Sequence, residues 1–77
     1  MKIKVFGPGC LNCTKTEKVV RDVVARLGID ADIEKVTDMM AIVNAGVLGT
    51  PAVSIDGEMK IAGKVPREDE IEAWFNK

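Results

Sequence analysis

At 77 residues the chain has room for one domain, and its 47% hydrophobic content is enough for a core without added staples. Its 11 basic and 12 acidic residues are spread along the chain and give a net charge of −1, so no basic stripe is available to bind a nucleic-acid backbone. Its aromatic residues are too few to stack bases. No apolar run reaches membrane-spanning length, and the residues before Gly9 lack the apolar stretch of a signal peptide. We therefore expect a single cytoplasmic domain over residues 1–77, with no nucleic-acid or membrane partner.

The chain has two cysteines, Cys10 and Cys13, with two residues between them. A small secreted protein held together by disulfides typically carries about four to eight cysteines at wider spacing. A bridge across so short a loop stabilises a fold by about 2 kcal/mol at best, before strain is subtracted. The pair is a weak staple, but it is well suited to be formed and broken in turn.

The first half of the chain indicates a strand, a helix and a second strand. Polar and apolar residues alternate over residues 2–6, and a Gly-Pro-Gly turn follows, which predicts a first strand. A stripe of apolar residues at helical spacing predicts a helix from about Leu11 that ends at Gly28. Residues 31–36 predict a second strand, whose charged centre is typical of a sheet edge.

A short second helix is predicted next. Thr37 or Asp38 is a suitable N-cap, and Gly46 is a suitable end. The helix carries Met39 and Met40 among other apolar residues. An exposed, adaptable docking surface is one interpretation of these methionines, but we expect at least one of them in the core.

The last third of the chain predicts a hairpin and a final helix. Residues 52–55 form a third strand, and the Asp56-Gly57 pair is a strong hairpin signal leading to a fourth strand near residues 59–62. Pro66 is expected to open the last helix, whose first turn is acidic and solvated rather than a metal cluster. Those acidic residues are Glu68, Asp69 and Glu70, and the buried face is formed by Ile71, Trp74 and Phe75.

Together these elements predict an α/β fold of order βαβαββα. The strand–helix–strand unit implies a parallel pair with a right-handed crossover, and the hairpin adds antiparallel strands. The fold class is therefore one four-stranded mixed sheet with helices on both faces.

Cys10 stands where the first strand ends and the first helix begins. The unpaired N–H groups and the positive end of the helix dipole favour an anion there, so we expect the Cys10 thiol to ionise more easily than a free thiol. Lowering its pKa from about 8.5 to about 7 raises the thiolate fraction at neutral pH from a few per cent to about half. Lys15 adds a positive charge nearby. Cys13, one turn further on, is expected to lie deeper and to attack a mixed disulfide formed at Cys10.

Two other interpretations of the cysteine pair stay open. The cysteines are apolar filler in one, although two at this spacing on this turn favour chemistry. In the other they bind a metal, as half of a zinc site or as a two-coordinate copper(I) site. The sequence has no histidine and no third cysteine, so an intramolecular zinc site would need carboxylates. Copper chaperones of ferredoxin-like fold also place such a pair after their first strand, but they carry a methionine where this chain has Pro8, and they end in a strand. Redox chemistry is favoured, a copper or zinc carrier is the alternative, and a non-catalytic adaptor is third.

A second informative segment is Gly49-Thr50-Pro51, immediately before the third strand. Proline suits the first position of a strand because it cannot donate to the ladder, and alone it indicates only the end of a loop. Combined with Cys-x-x-Cys and the order of elements, however, it makes the chain resemble the thioredoxin superfamily over nearly its whole length. The chain most resembles the small prokaryotic redox-active disulfide proteins, which have the size of a glutaredoxin.

The resemblance implies a dithiol–disulfide oxidoreductase. Cys10 attacks a substrate disulfide, Cys13 resolves the mixed disulfide, and a disulfide reductase restores the dithiol. No bound cofactor is needed beyond the reversible intramolecular disulfide. The implied partners are disulfide-containing proteins and the reductase, with the chain acting as a monomer. The Thr50–Pro51 bond is expected to be cis, to pack beside the disulfide, to expose the Thr50 backbone for strand-like pairing with substrate and to discourage metal binding. The implied substrate-binding residues are Gly9, Leu11, Asn12, Gly49, Thr50, Pro51 and Gly63, with Leu48 beside them.

The chain also departs from the family pattern. Leu11-Asn12 between the cysteines is neither the Gly-Pro of thioredoxins nor the Pro-Tyr of glutaredoxins, and Gly9 replaces the thioredoxin tryptophan. Lys4 occupies the position of the buried acid that assists proton transfer in thioredoxins. The segment of residues 62–65 lacks the second glycine and the acid with which glutaredoxins hold glutathione, so a full glutathione site is not expected.

Overall fold

The computed structural model describes residues 1–9 and 11–75. Its elements are β1 (Lys2–Phe6), α1 (Leu11–Leu27), β2 (Asp32–Val36), α2 (Met39–Asn44), β3 (Ala52–Ile55), β4 (Glu58–Ala62) and α3 (Glu68–Phe75). The predicted βαβαββα order is confirmed. None of the helices within the described ranges combines the length and the apolar character needed to cross a bilayer.

The four strands form one mixed sheet in the order β2-β1-β3-β4. β1 runs parallel to β2 and antiparallel to β3, and β3 runs antiparallel to β4. β2 lies at an edge of the sheet, as its charged centre predicts, and solvent therefore reaches much of that strand. All of β3 is buried, including Ser54, which fits the central position of the strand and its otherwise apolar sequence.

The β3–β4 turn is the predicted Asp56-Gly57 hairpin. Both residues have positive φ, +50° and +87°, and these values are typical of the two-residue turn whose twist matches that of the flanking strands. The Asp56 carboxylate also accepts a 2.8 Å hydrogen bond from the Lys2 backbone N–H, which fixes the turn to β1. A bulge follows, because Val53 pairs with Ile61 whereas Ser54 pairs with Met59.

One face of the sheet carries the larger core, which α1 and α3 cover. Ile71 of α3 is fully buried, and Trp74 and Phe75 are partly buried against the same cluster, so the predicted apolar face of α3 is confirmed. Burying a branched aliphatic side chain of this kind contributes about 1.5–3 kcal/mol. The buried members of the cluster are Ile3, Val5, Val20, Val23, Val24, Val53, Ile55 and Ile71.

The opposite face carries a smaller core under α2. Ile42 is buried against Phe6 and Ala52, and this confirms that helices cover both faces. The expectation that Met39 or Met40 is in the core is wrong, since these side chains are 56% and 65% exposed. The reason is the length of α2: six residues make less than two turns, and Ile42 is the one buried residue of the helix.

The start of α3 also differs from the prediction. The helix begins at Glu68 rather than at Pro66, which is fully buried in the preceding loop. Arg67 takes the capping position: its carbonyl accepts the Ile71 N–H at 3.1 Å, and its N–H donates to the Glu70 carboxylate at 3.1 Å. This use of an acid in the first turn starts the helix two residues after Pro66, rather than at the proline itself.

Candidate active site

Cys13 lies in the first turn of α1, two residues after the helix begins at Leu11. Its side chain is 1% exposed, and its sulfur is bonded in a disulfide. The predicted attacking residue, Cys10, lies outside the described residues. The structure therefore gives the surroundings of the second sulfur of the pair, which is the deeper one in the sequence prediction.

Gly7 packs directly against Cys13. A Cβ atom built at Gly7 would overlap the Cys13 Sγ and would lie 2.7 Å from the Cys13 Cβ. Gly7 is itself buried, and its N–H donates a 2.9 Å hydrogen bond to the Val36 carbonyl of β2. The backbone at residue 7 therefore forms a fixed wall against the Cys13 sulfur.

Thr16 is the buried polar residue one turn beyond Cys13. Its side chain has no solvent exposure, and its hydroxyl donates a 2.8 Å hydrogen bond to the Asn12 carbonyl. Asn12 and Leu11 are exposed, so the two residues between the cysteine positions face solvent whereas Cys13 and Thr16 face inward.

The second predicted segment forms a tight loop cluster. The Thr50–Pro51 peptide bond is cis, and Pro51 is buried. The Gly63 N–H donates to the Pro51 carbonyl at 2.9 Å, and a Cβ added at Gly49 would lie 3.3 Å from the Gly63 Cα. The structure thus brings Gly63 against Gly49 and Pro51, so that predicted substrate-binding residues from two separate segments lie together.

The two segments meet at one end of the sheet, where the central strand β1 ends and β3 begins. The β1–β3 register ends with Phe6 opposite Ala52, so its continuation by one residue sets Gly7 opposite Pro51. Because Gly7 also borders the Cys13 sulfur, the cysteine and the proline segment flank the same residue.

Around this end of the sheet the chain exposes apolar side chains. Leu11 is 73% exposed and Leu48 is fully exposed. Thr50 is half-buried, and its backbone N–H and C=O enter no hydrogen bond with another residue in the described ranges. Gly9 and Gly63 are exposed. Exposed apolar groups beside an unpaired stretch of backbone are suited to bind an extended polypeptide.

A charged network lies further along α1. The Glu17 carboxylate accepts a 3.0 Å hydrogen bond from the Arg21 guanidinium and forms a 3.5 Å ion pair with Lys35 of β2. The hydrogen bond from Arg21 is the main cause that holds the pKa of Glu17 below its ordinary value; burial opposes this effect, and the charge of Lys35 adds to the lowering. The network fixes α1 to the edge strand.

The remaining residues that the sequence singled out lie apart from this end of the sheet or in ordinary surroundings. Glu68 pairs with Arg26, and Asp69 and Glu70 pair with Arg67, so the acidic first turn of α3 is a set of surface ion pairs. Over residues 1–9 and 11–75, no three thiol or carboxylate groups converge as a metal site would require. Lys4 is half-buried on β1 opposite Ser54.

Two residues at the site were missed by sequence reasoning. Gly7 was interpreted only as part of a turn, and Thr16 was not singled out. A small residue three positions before the first cysteine is a signal for Gly7, because only a residue without a side chain leaves room for a sulfur there. The signal for Thr16 is a polar residue on the buried stripe of the helix.

Comparisons with known proteins match nearly the whole chain. Residues 1–76 match a family model described as a thioredoxin domain. The chain is 46% identical over 71 residues to a thioredoxin of Methanothermobacter thermautotrophicus, and the match covers 92% of each chain. It is 44% identical over 69 residues to a thioredoxin of Methanocaldococcus jannaschii, covering 90% of this chain and 79% of the relative. A probable thioredoxin of Methanothermobacter marburgensis is 31% identical, with 95% of this chain and 91% of the relative covered.

Proposed function

This chain belongs to the thioredoxin family, and from that premise we propose that it reduces disulfides in protein substrates through Cys10 and Cys13. Membership supports thiol–disulfide oxidoreductase chemistry in general. The observation that carries the finer proposal is the position of Cys13. It is disulfide-bonded and buried in the first turn of α1, at the same end of the sheet as the Thr50–Pro51 segment.

The proposed reaction is two successive thiol–disulfide exchanges. The Cys10 thiolate attacks one sulfur of the substrate disulfide, which forms a mixed disulfide and releases the other substrate sulfur as a thiolate. Cys13 then loses its proton and attacks the Cys10 sulfur, which forms the Cys10–Cys13 disulfide and releases the second substrate thiolate. The substrate gains two electrons and two protons, and the chain loses the same number.

The start of α1 supports Cys10 as the attacking group. The helix begins at the next residue, Leu11, and runs for 17 residues. The unpaired N–H groups and the dipole of such a helix favour a thiolate over a thiol at its start. Cys13 is buried, so it reaches a substrate only after the first exchange has brought the mixed disulfide to it.

Substrate binding is proposed at the loop cluster beside the cysteines. Leu11 and Leu48 offer exposed apolar surface, and the Thr50 backbone is available to pair with an extended chain. Gly9, Asn12, Gly49, Pro51 and Gly63 complete this surface in the proposal. The substrate is therefore a disulfide in an accessible, extended segment with apolar neighbours.

A cytoplasmic disulfide reductase is the proposed electron donor. Reduction is the direction favoured in that compartment, because its thiol pools keep exposed disulfides reduced. The cycle needs no bound cofactor, since the two sulfurs themselves store the electron pair.

An insulin-reduction assay with dithiothreitol as the donor tests the proposal. The wild-type chain is expected to accelerate precipitation of the insulin B chain, and Cys10→Ser is expected to abolish the acceleration. Cys13→Ser is expected to lose turnover but to accumulate a mixed disulfide, which mass spectrometry detects. Ala25→Ser, at an exposed position near the end of α1, is a matched surface control that should keep most of the activity.

Two outcomes would overturn the proposal. One is full activity in both cysteine variants, which would separate the reaction from the pair. The other is stoichiometric, tight binding of copper(I) or zinc by a wild-type chain that does not reduce insulin, and this outcome would identify the metal carrier instead.

A further inference from the structure

We propose that Gly7 is a positioning residue for the disulfide, and that the absence of a side chain at residue 7 sets the stability of the disulfide relative to the dithiol. The inference rests on the proposed function, because it concerns the same pair. It extends the site to a residue that contributes no reactive group.

The observation is the space that the Cys13 sulfur fills. A Cβ at residue 7 would overlap Sγ and would lie 2.7 Å from the Cys13 Cβ, a separation far below van der Waals contact. The backbone of Gly7 cannot retreat freely, because its N–H is bonded to Val36 and Phe6 is paired with Ala52. Any added methyl group must therefore move Cys13 rather than β1.

The cost of that movement differs between the two redox states. In the disulfide the Cys13 sulfur is fixed by its covalent bond, whose geometry tolerates little change. In the dithiol that bond is absent, and rotation of χ1 to another staggered position moves the Cys13 sulfur away from the methyl group. Part of the overlap, that with Cβ, persists in both states, but the part with Sγ is relieved only on reduction.

A methyl group at residue 7 therefore destabilises the disulfide more than the dithiol. The relevant equilibrium is protein dithiol plus oxidised glutathione giving protein disulfide plus two reduced glutathione molecules, a transfer of two electrons and two protons to glutathione. Gly7→Ala is expected to lower this equilibrium constant by about tenfold or more, which corresponds to a midpoint potential raised by about 30 mV or more. The variant becomes a weaker reductant.

The experiment titrates wild type and Gly7→Ala in glutathione redox buffers and quantifies the two states by thiol alkylation and mass spectrometry. Gly57→Ala is the matched control. Gly57 has a φ of +87° and no atom within 4 Å of an added Cβ, and it lies in the hairpin at the end of β3 remote from Pro51. Gly57→Ala should lose stability and keep the wild-type equilibrium constant.

A second measurement applies even where Gly7→Ala folds poorly. In the Cys13→Ala background the sulfur is gone, so Gly7→Ala should cost less free energy of unfolding than it does in the oxidised wild type. Urea unfolding of the four chains gives this comparison.

An equilibrium constant unchanged in Gly7→Ala, or an equal stability cost in both backgrounds, would overturn the inference. The same wild-type samples are assayed for insulin reduction, so the two failures are distinguishable. An inactive wild type refutes the proposed function, whereas an active wild type with an unshifted Gly7→Ala refutes only the role of Gly7.

Discussion

The hydroxyl of Thr16 donates a hydrogen bond of 2.8 Å to the backbone carbonyl of Asn12, inside the first two turns of α1. Thr16 has no solvent exposure, and it follows Cys13 by one helical turn on the buried side of the helix. A buried hydroxyl without a partner is costly, so this bond is what allows a polar residue at a core position. It also fixes the peptide group that joins Asn12 to Cys13.

Thr16→Val removes this hydrogen bond while keeping the shape of the side chain. We expect the free energy of unfolding to fall by about 1 kcal/mol, the usual net contribution of one buried hydrogen bond. Urea unfolding of the reduced and oxidised forms measures the change. Thr16→Ser is the control, because it keeps the hydroxyl and loses only a methyl group. A Thr16→Val chain as stable as wild type would show that the bond contributes nothing.

Substitutions on α2 separate its buried residue from its exposed ones. Ile42 is 3% exposed against Phe6 and Ala52, whereas Met40 is 65% exposed. Ile42→Ala is expected to lower the free energy of unfolding by about 2–5 kcal/mol through lost burial and a cavity. Met40→Ala is expected to stay within about 0.5 kcal/mol of wild type. Equal effects of the two substitutions in urea unfolding would contradict this packing.

The methionines of α2 illustrate what sequence does and does not decide. β1 and β3 have the predicted bounds, because alternation and turn residues are local signals that the sheet reinforces. The orientation of a helix shorter than two turns is not local: Ile42 took the single inward position, and the sequence offered several candidates. Pattern alone therefore predicted α2 itself but not its buried side.

The site shows the same division. Its two segments were predicted from the Cys-x-x-Cys spacing and the proline before β3, since both are short motifs with a mechanism. The contact between Gly7 and the Cys13 sulfur was not, because it depends on how closely the end of β1 approaches α1. A distance between two elements is set by packing, and a single sequence carries no direct record of it.

Glu17 provides a prediction about pH. Its pKa is held below the ordinary value, first by the hydrogen bond from Arg21 and then by the charge of Lys35. A carboxyl with a lowered folded pKa stabilises the fold above the unfolded value of about 4.3, and it loses that effect as the pH falls through its folded pKa. Glu17→Gln is therefore expected to be less stable than wild type near neutral pH, with the difference vanishing in acid.

Chemical unfolding at a series of pH values measures this difference. It should be below about 1 kcal/mol near neutrality, because the pairs with Arg21 and Lys35 are partly exposed to solvent. High salt is the control, since at about 1 M the Debye length falls to about 3 Å and surface attraction is screened. A difference that grows as the pH is lowered would have the wrong sign for a lowered pKa.

Gly63 gives a prediction that links backbone conformation to substrate binding. Its φ is +86°, and its N–H holds the Pro51 carbonyl at 2.9 Å. Residues with a Cβ pay about 1–2 kcal/mol to adopt a left-handed conformation, and asparagine tolerates it better than alanine. Gly63→Ala is expected to lose stability in that range and Gly63→Asn to lose less, as measured by urea unfolding.

The same strain should reach the reaction through Pro51. A loop that relaxes at residue 63 loses its hydrogen bond to the Pro51 carbonyl, and the proposed binding surface at Thr50 then shifts. Gly63→Ala is expected to raise the KM for insulin more than it lowers kcat, since Cys13 keeps its place on α1. Gly57→Ala, which has a similar positive φ at the remote hairpin, should lose stability with an unchanged KM. A KM raised equally in both variants would mean that general loosening, and not the Gly63–Pro51 bond, governs binding.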